Sequence, residues 1–118
     1  MSENIKKDNA RLTPAEPHRL DGLLEYVAGS IVSRTLVQSK AGTVTLFAFD
    51  AGQGLSEHSA PYDAMVQVLD GETELTIGGK PVMTKCGETV IMPAEIPHAV
   101  HSEKRSKILL TLIRGLTK

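Results

Sequence analysis

The sequence predicts an all-β fold in a single domain. About ten short segments rich in apolar and β-branched residues are separated by turns that contain glycine or proline. No segment of useful length has the periodicity of an amphipathic helix. A chain of 118 residues is long enough to bury the core of one domain, so we expect no second one.

The first 20 residues predict a flexible N-terminal arm. They are mostly polar, contain Pro14 and Pro17, and follow neither the strand period nor the helix period. Such an arm is able to pack on a partner subunit. We therefore assign the arm to residues 1–20 and the β domain to residues 21–118.

Alternation and turn residues then define the strands in order. Residues 22–38 contain two strands separated by Ala28-Gly29-Ser30, and Gly78-Gly79 between two alternating segments is a strong hairpin signal. The apolar run at residues 108–113 is typical of a central strand. The predicted strands are residues 22–27, 31–38, 43–50, 56–59, 64–69, 72–77, 81–85, 89–92, 98–102 and 108–113. A sandwich or barrel follows, and the jelly roll is the commonest solution at this length.

Charge and composition exclude several classes of function. With 13 Lys+Arg against 14 Asp+Glu, the chain has no electrostatic footprint for a nucleic acid or a membrane surface. No apolar run approaches the roughly 20 residues that span a bilayer, and the N-terminus lacks the apolar centre of a secretory signal. The single cysteine, Cys86, cannot form an internal disulfide, which agrees with a reducing compartment. We expect a cytoplasmic protein.

Two segments carry the functional signal: GQGLSEHSAPYDAMVQVLDG from Gly52 and GETVIMPAEIPHAVHS from Gly87. They resemble the two motifs of the cupin superfamily, G-x5-H-x-H-x3-E-x6-G and G-x5-P-x-G-x2-H-x3-N, in spacing throughout. The first motif falls on Gly52, His58, Ala60, Ala64 and Gly71, and the second on Gly87, Pro93, Glu95, His98 and Ser102. This resemblance implies a single-domain cupin jelly-roll β-barrel.

The resemblance also implies a metal site, which this sequence alters. Cupins hold a divalent metal with three histidines and one carboxylate, but Ala60 and Ala64 stand at two of these four positions. His58 and His98 alone would make a weak site for iron, manganese, nickel or zinc, because catalytic sites normally have three protein ligands. Strand alternation turns Glu57, Asp63 and His101 to the opposite face from these histidines.

Three functions stay open. The first is binding of a small polar or anionic molecule by the barrel imidazoles of His58 and His98, with Met92 at the mouth of the pocket and Tyr62 and Gln67 as further rim candidates. The second is a metal-dependent dioxygenase or isomerase in which His58 and His98 hold the metal. The third is a protein-interaction module, which a filled barrel would favour.

Two further expectations concern assembly and backbone. A homodimer is expected from the resemblance and from the exposed edge strands of so small a barrel. Glu95 stands where the family favours glycine. If the backbone keeps a positive φ there, the glutamate costs on the order of 1 kcal/mol.

Overall fold

The computed structural model describes residues 5–8 and 10–114 of the chain. Within these ranges strands dominate, and one 3-10 helix, Leu20–Gly22, is the only helical element. The strands are β1 (Ile5–Asp8), β2 (Ile31–Ser39), β3 (Gly42–Phe49), β4 (Gln53–His58), β5 (Ala64–Asp70), β6 (Glu72–Ile77), β7 (Lys80–Lys85), β8 (Thr89–Met92), β9 (His98–Ser102) and β10 (Ser106–Ile113). The predicted all-β fold is confirmed.

The strands form two sheets that enclose the core. The larger sheet has the order β1-β2-β3-β10-β5-β8 and the smaller one β4-β9-β6-β7. Strand β10 pairs with β3 and β5, which confirms the central position that its apolar run predicted. The core contains buried residues from both sheets: Ile31, Phe49, Ala64, Val66, Val68, Leu75, Met92, Val100 and Ile108.

A second apolar cluster lies on the outer face of the six-stranded sheet. Its buried members are Leu24, Leu36, Leu46, Ala48 and Leu109, and Leu12, Leu20, Leu23 and Tyr26 pack against them. The irregular segment at residues 10–27 therefore covers part of this face. No described helix is long and apolar enough to cross a membrane.

Two elements differ from the sequence predictions. No strand forms over residues 22–27, because Leu23, Leu24 and Tyr26 pack on the outer cluster without pairing to a neighbour. Strand β1 lies inside the expected arm and pairs in parallel with β2, with Ile5 opposite Ile31. A four-residue, mostly charged segment has too few side chains for alternation to reveal it. The flexibility of residues 1–20 stays a prediction.

Candidate functional site

A cavity of about 220 Å³ lies between the two sheets. One wall comes from β4 and β9 and the other from β5, β8 and β10. Its lining side chains are Leu55, His58, Ala60, Tyr62, Ala64, Met92, His98, Val100, Ile108, Leu110 and Leu112. Since His58 is exposed and Ile108 is fully buried, the cavity extends from the surface into the core.

Strand register brings the two histidines together. His58 at the end of β4 lies opposite His98 at the start of β9, although 40 residues separate them in sequence. On the facing wall, Ala64 is in register with Met92 on one side and Leu112 on the other. Pairing of strands distant in sequence thus places two imidazoles across from an apolar row.

A β-bulge in β4 aims His58 into the cavity. Leu55 pairs with Val100 and His58 with His98, so three steps along β4 match two steps along β9. In a regular strand, residues three apart point to opposite faces, whereas here Leu55 and His58 both line the cavity. The extra residue therefore turns the His58 side chain to the cavity face of the strand.

The hydrogen bonds of both rings define their tautomers. His58 Nδ1 lies 2.8 Å from the Ser56 carbonyl oxygen, and His98 Nδ1 lies 3.2 Å from that of Ile96. A carbonyl oxygen only accepts, so each Nδ1 carries the proton and donates. The Nε2 atoms of the two rings are 3.2 Å apart and hydrogen-bond each other, so one of them donates and the other accepts. The two rings present this hydrogen-bonded pair to the cavity.

The neutral form of His98 is favoured by its environment. Only 5 % of the residue is exposed. Burial lowers the pKa of His98 below its ordinary value of 6.5, the hydrogen bond to Ile96 opposes this shift, and the nearby His58 ring lowers the pKa further. Above pH 6.5 the His98 ring therefore accepts hydrogen bonds through Nε2.

The donor set fits two ligand positions of a metal site. Two imidazole nitrogens bound to one tetrahedral zinc ion lie about 3.3 Å apart, close to the 3.2 Å between the Nε2 atoms of His58 and His98. The described residues contain no group of three or more His, Cys, Asp or Glu side chains arranged to hold a metal. The methyl groups of Ala60 and Ala64 line the cavity instead.

The other acidic and histidine candidates are engaged elsewhere. Asp63 Oδ1 accepts a hydrogen bond of 2.8 Å from the Ala94 amide. His101 is exposed and lines a groove with Glu72 and Glu74, separate from the cavity that His98 lines. The alternation argument against Asp63 and His101 as partners of His58 and His98 is consistent with these positions.

The loop before His98 is held by an unusual backbone conformation. Glu95 has a φ of 70°, and its amide donates to the Ala60 carbonyl oxygen at 2.7 Å. Next to it, Ile96 supplies the carbonyl that accepts from His98 Nδ1. The backbone thus keeps the left-handed conformation that glycine would adopt without strain, and this loop orients His98.

Met92 and Tyr62 both line the cavity, but at different depths. Met92 is only 2 % exposed and belongs to the buried wall, whereas Tyr62 is half-buried. Gln67 is absent from the cavity lining, in agreement with its position out of phase with the buried Ala64, Val66 and Val68. Sequence reasoning did not select the apolar lining residues Leu55, Val100, Ile108, Leu110 and Leu112. Strand alternation in β4, β9 and β10 could have indicated them, once those strands are known to face the site.

Comparison with known proteins shows which family and which solved structures this architecture resembles. A family model described as "Cupin domain" matches residues 45–113. A conserved protein of unknown function from Streptococcus pyogenes is 33% identical, with a TM-score of 0.85, over 99% of this chain and 98% of its own. No curated protein matches the sequence.

Two further solved structures are similar. A cupin 2 conserved barrel domain protein from Leptotrichia buccalis is 42% identical with a TM-score of 0.77; the match covers 80% of this chain but 46% of that one. A cupin superfamily protein from Desulfitobacterium hafniense is 25% identical with a TM-score of 0.82, over 90% of this chain and 97% of its own.

Proposed function

Because the chain belongs to the cupin family, we propose that it binds a small polar molecule in the barrel cavity through His58 and His98. The observation that carries this proposal is the cavity of about 220 Å³, into which both imidazoles project beside the buried Met92. A concave, largely apolar pocket with a few convergent polar groups is the usual form of a small-molecule site.

A polar ligand agrees better with the ring geometry than an anionic one. An anion would need free N–H donors, but each Nδ1 lies against a carbonyl oxygen and the two Nε2 atoms hydrogen-bond each other. A second proton on His98 is opposed by burial, which lowers its pKa. The proposed ligand therefore offers a hydrogen-bond donor to the imidazole pair.

Ligand screening with matched histidine variants tests this function. Hits from a small-molecule library, found as increases in the thermal midpoint of the wild type, are titrated against His58→Ala, His98→Ala and His101→Ala. We expect the first two variants to weaken binding about tenfold or more, since each loses one hydrogen bond to the ligand. His101→Ala is the control, because His101 lies outside the cavity. If His58→Ala and His98→Ala bind the hits as tightly as His101→Ala does, the proposal is ruled out.

A metal-dependent dioxygenase or isomerase is the second candidate. The observation that favours it is the convergence of the two Nε2 atoms 3.2 Å apart, a spacing that suits one cation in place of the proton they share. His58 and His98 would hold iron, manganese, nickel or zinc, with water or substrate in the remaining positions. Such an ion would supply Lewis-acid or redox chemistry at the mouth of the cavity.

Elemental analysis separates the two candidates. The protein is purified without a metal-affinity column and without chelator, beside His98→Ala and the double variant Ala60→His/Ala64→Glu. About one transition metal per chain in the wild type, lost in His98→Ala, would favour the enzyme. The double variant restores the four ligands that the family resemblance implies, so it is the positive control. If it alone retains metal, the metalloenzyme function is excluded.

Three remaining expectations are also proposals. A barrel filled by side chains would favour a protein-interaction module, and the open cavity weakens that function. A homodimer is supported by exposed apolar residues on the six-stranded sheet, including Val37 and Ile91. A cytoplasmic location rests on the sequence alone.

A further inference from the structure

The cavity has one polar end and an otherwise apolar wall. Among the eleven described side chains that line it, those of His58, Tyr62 and His98 contain a polar atom, and the other eight are apolar. Within the part of the chain that the structure describes, no carboxylate, ammonium or guanidinium group belongs to this lining. A ligand with polar atoms along its whole length would bury several of them without a hydrogen-bond partner, which disfavours binding strongly.

The volume limits the ligand to a small molecule. An apolar protein cavity of about 150 Å³ accommodates benzene, which has six non-hydrogen atoms. By proportion, the 220 Å³ of this cavity suits about nine non-hydrogen atoms. This is below the usual size of pockets for drug-sized ligands, about 300–1,000 Å³.

The polar end both donates and accepts hydrogen bonds. The Nε2 atoms of His58 and His98 hydrogen-bond each other at 3.2 Å, so one is a donor and the other an acceptor. Two such atoms this close suit one small group that both donates and accepts, but they are too close for two divergent N–H bonds of one amine. A single hydroxyl group meets this geometry.

We propose that the ligand is a small alcohol or phenol with a hydrocarbon body, and not a carbohydrate or a phosphate ester. This inference rests on the proposed function and names the substrate class of the same site. The hydroxyl group hydrogen-bonds to the imidazole pair, and the hydrocarbon body lies deeper, against Ile108 and Leu110.

Ala60 and Ala64 determine how large a hydrocarbon body the cavity accommodates. Both line the cavity, and Ala64 sits between Met92 and Leu112 in the row that faces the histidines. Ala64 is 4 % exposed, so a larger side chain there has nowhere to go except into the cavity. A leucine at either position would occupy the space of the ligand body.

The test titrates the full chain with three hydroxyl compounds of seven or eight non-hydrogen atoms: cyclohexanol, benzyl alcohol and p-cresol. Cyclohexane and toluene are the matched compounds without a hydroxyl, and D-glucose and D-glucose 6-phosphate represent the excluded classes. Binding is followed by amide chemical shifts in NMR. We expect at least one hydroxyl compound to bind about tenfold more tightly than its hydrocarbon. The two sugars should not bind.

Cavity variants locate the binding. Ala64→Leu and Ala60→Leu should each weaken the binding of the hydroxyl compound at least tenfold. Ala99→Leu is the control, since Ala99 lies on β9 between two cavity residues but does not line the cavity. Ala60 precedes β5 rather than lying within a strand, so its variant keeps the test valid if Ala64→Leu does not fold.

The outcomes distinguish a failure of this substrate class from a failure of the proposed binding function of His58 and His98. Binding of a sugar that depends on His58 and His98, with no binding of the hydroxyl compounds, overturns the substrate class and leaves the proposed function standing. Failure of every hydroxyl compound to bind also overturns the class. If a hydroxyl compound binds equally well to wild type, His58→Ala and His98→Ala, the proposed function itself fails.

Discussion

At the scale of single residues, Glu95 is under backbone strain next to the candidate site. Its φ of 70° lies in the left-handed region, which side chains with a Cβ atom adopt at a cost on the order of 1 kcal/mol. Its amide is held by the Ala60 carbonyl oxygen. Strained residues often occur at functional sites, where the surrounding structure maintains them. Here the strained loop carries the carbonyl that orients His98.

Glu95→Gly should therefore stabilise the protein. We expect the free energy of unfolding to rise by about 1 kcal/mol, because glycine adopts this conformation without a Cβ clash. Urea denaturation measures the change. Glu103→Gly is the control at an exposed position whose φ is not positive, where added backbone freedom should lower stability instead. Equal destabilisation by both variants would contradict the assignment of strain.

Asp50 connects two turns at the other end of the barrel from the histidines. Its carboxylate accepts from Arg105 Nε at 2.8 Å and from the Gly29 amide at 2.6 Å. The hydrogen bond from Arg105 is the main reason that the pKa of Asp50 falls from 3.8 to about 2. The unfolded chain binds this proton more readily than the folded one does.

Stability should consequently fall as the pH drops from about 3.8 to about 2. The contribution of Asp50 is fully present above this window, since a lowered carboxyl pKa favours the folded state only while the group is ionised. Unfolding free energies across the window should decline less steeply in Asp50→Asn than in wild type. Glu16→Gln controls for the loss of a negative charge, and an Asp50→Asn profile parallel to wild type would refute the linkage.

At the scale of elements, the segment at residues 10–27 is fastened to the six-stranded sheet by polar contacts. The Tyr26 hydroxyl donates to the Asp70 carboxylate, and Lys107 Nζ donates to the Asp21 carbonyl oxygen at 2.6 Å. The cationic groups of Arg105 and Lys107 lie 5.2 and 5.0 Å from the Tyr26 ring centroid. Burial is the main cause that raises the pKa of Tyr26, so its hydroxyl remains a donor.

Tyr26→Phe should loosen this segment. The variant keeps the ring contacts but removes the hydrogen bond to Asp70, and we expect a loss of about 1 kcal/mol. Hydrogen exchange should accelerate at the Gly22 and Leu23 amides, which donate within the 3-10 helix. Tyr62→Phe, the same change at the cavity, is the control. Unchanged exchange at Gly22 and Leu23 would mean that apolar packing alone holds the segment.

At the scale of the whole molecule, a largely apolar band crosses the outer face of the six-stranded sheet. Val37, Val44, Thr111, Met65 and Ile91 follow one another in register from β2 to β8. Val37 is 50% exposed and Ile91 53%. The segment at residues 10–27 packs around Leu36, Leu46 and Leu109 and leaves Val37 and Ile91 in contact with solvent. This band is the surface on which we propose that two copies associate.

Ile91→Glu should convert the proposed dimer to a monomer, because a charge would be buried without a partner. Size-exclusion chromatography with light scattering measures the mass of the particle. Met83→Glu is the matched control: Met83 is 49% exposed but lies on the four-stranded sheet. A monomeric wild type would disprove the homodimer, and dissociation by Met83→Glu alone would move the interface to the other sheet.

Local sequence patterns were sufficient to predict most strands and the family. Period-two alternation predicted strands close to the observed bounds of β2 and β6, because a strand buried on one face repeats every second residue wherever it lies, and the apolar run predicted β10. The motif spacing carried the cupin resemblance, which the family match confirms. The resemblance also implied that His58 and His98 project into one barrel, and their Nε2 atoms are 3.2 Å apart. Their roles as ligand residues stay a prediction.

The sequence by itself thus determined the fold class, the family and the pair of histidines around which a function can be proposed. Only the tertiary structure decided that Leu110 and Leu112 of β10 line the same cavity as those histidines, that a bulge turns His58 inward, and that residues 20–27 cover a sheet instead of joining it. The physical reason is range: alternation is a property of neighbours in sequence, whereas a cavity, a register shift and a covered face depend on pairing between strands far apart in the chain.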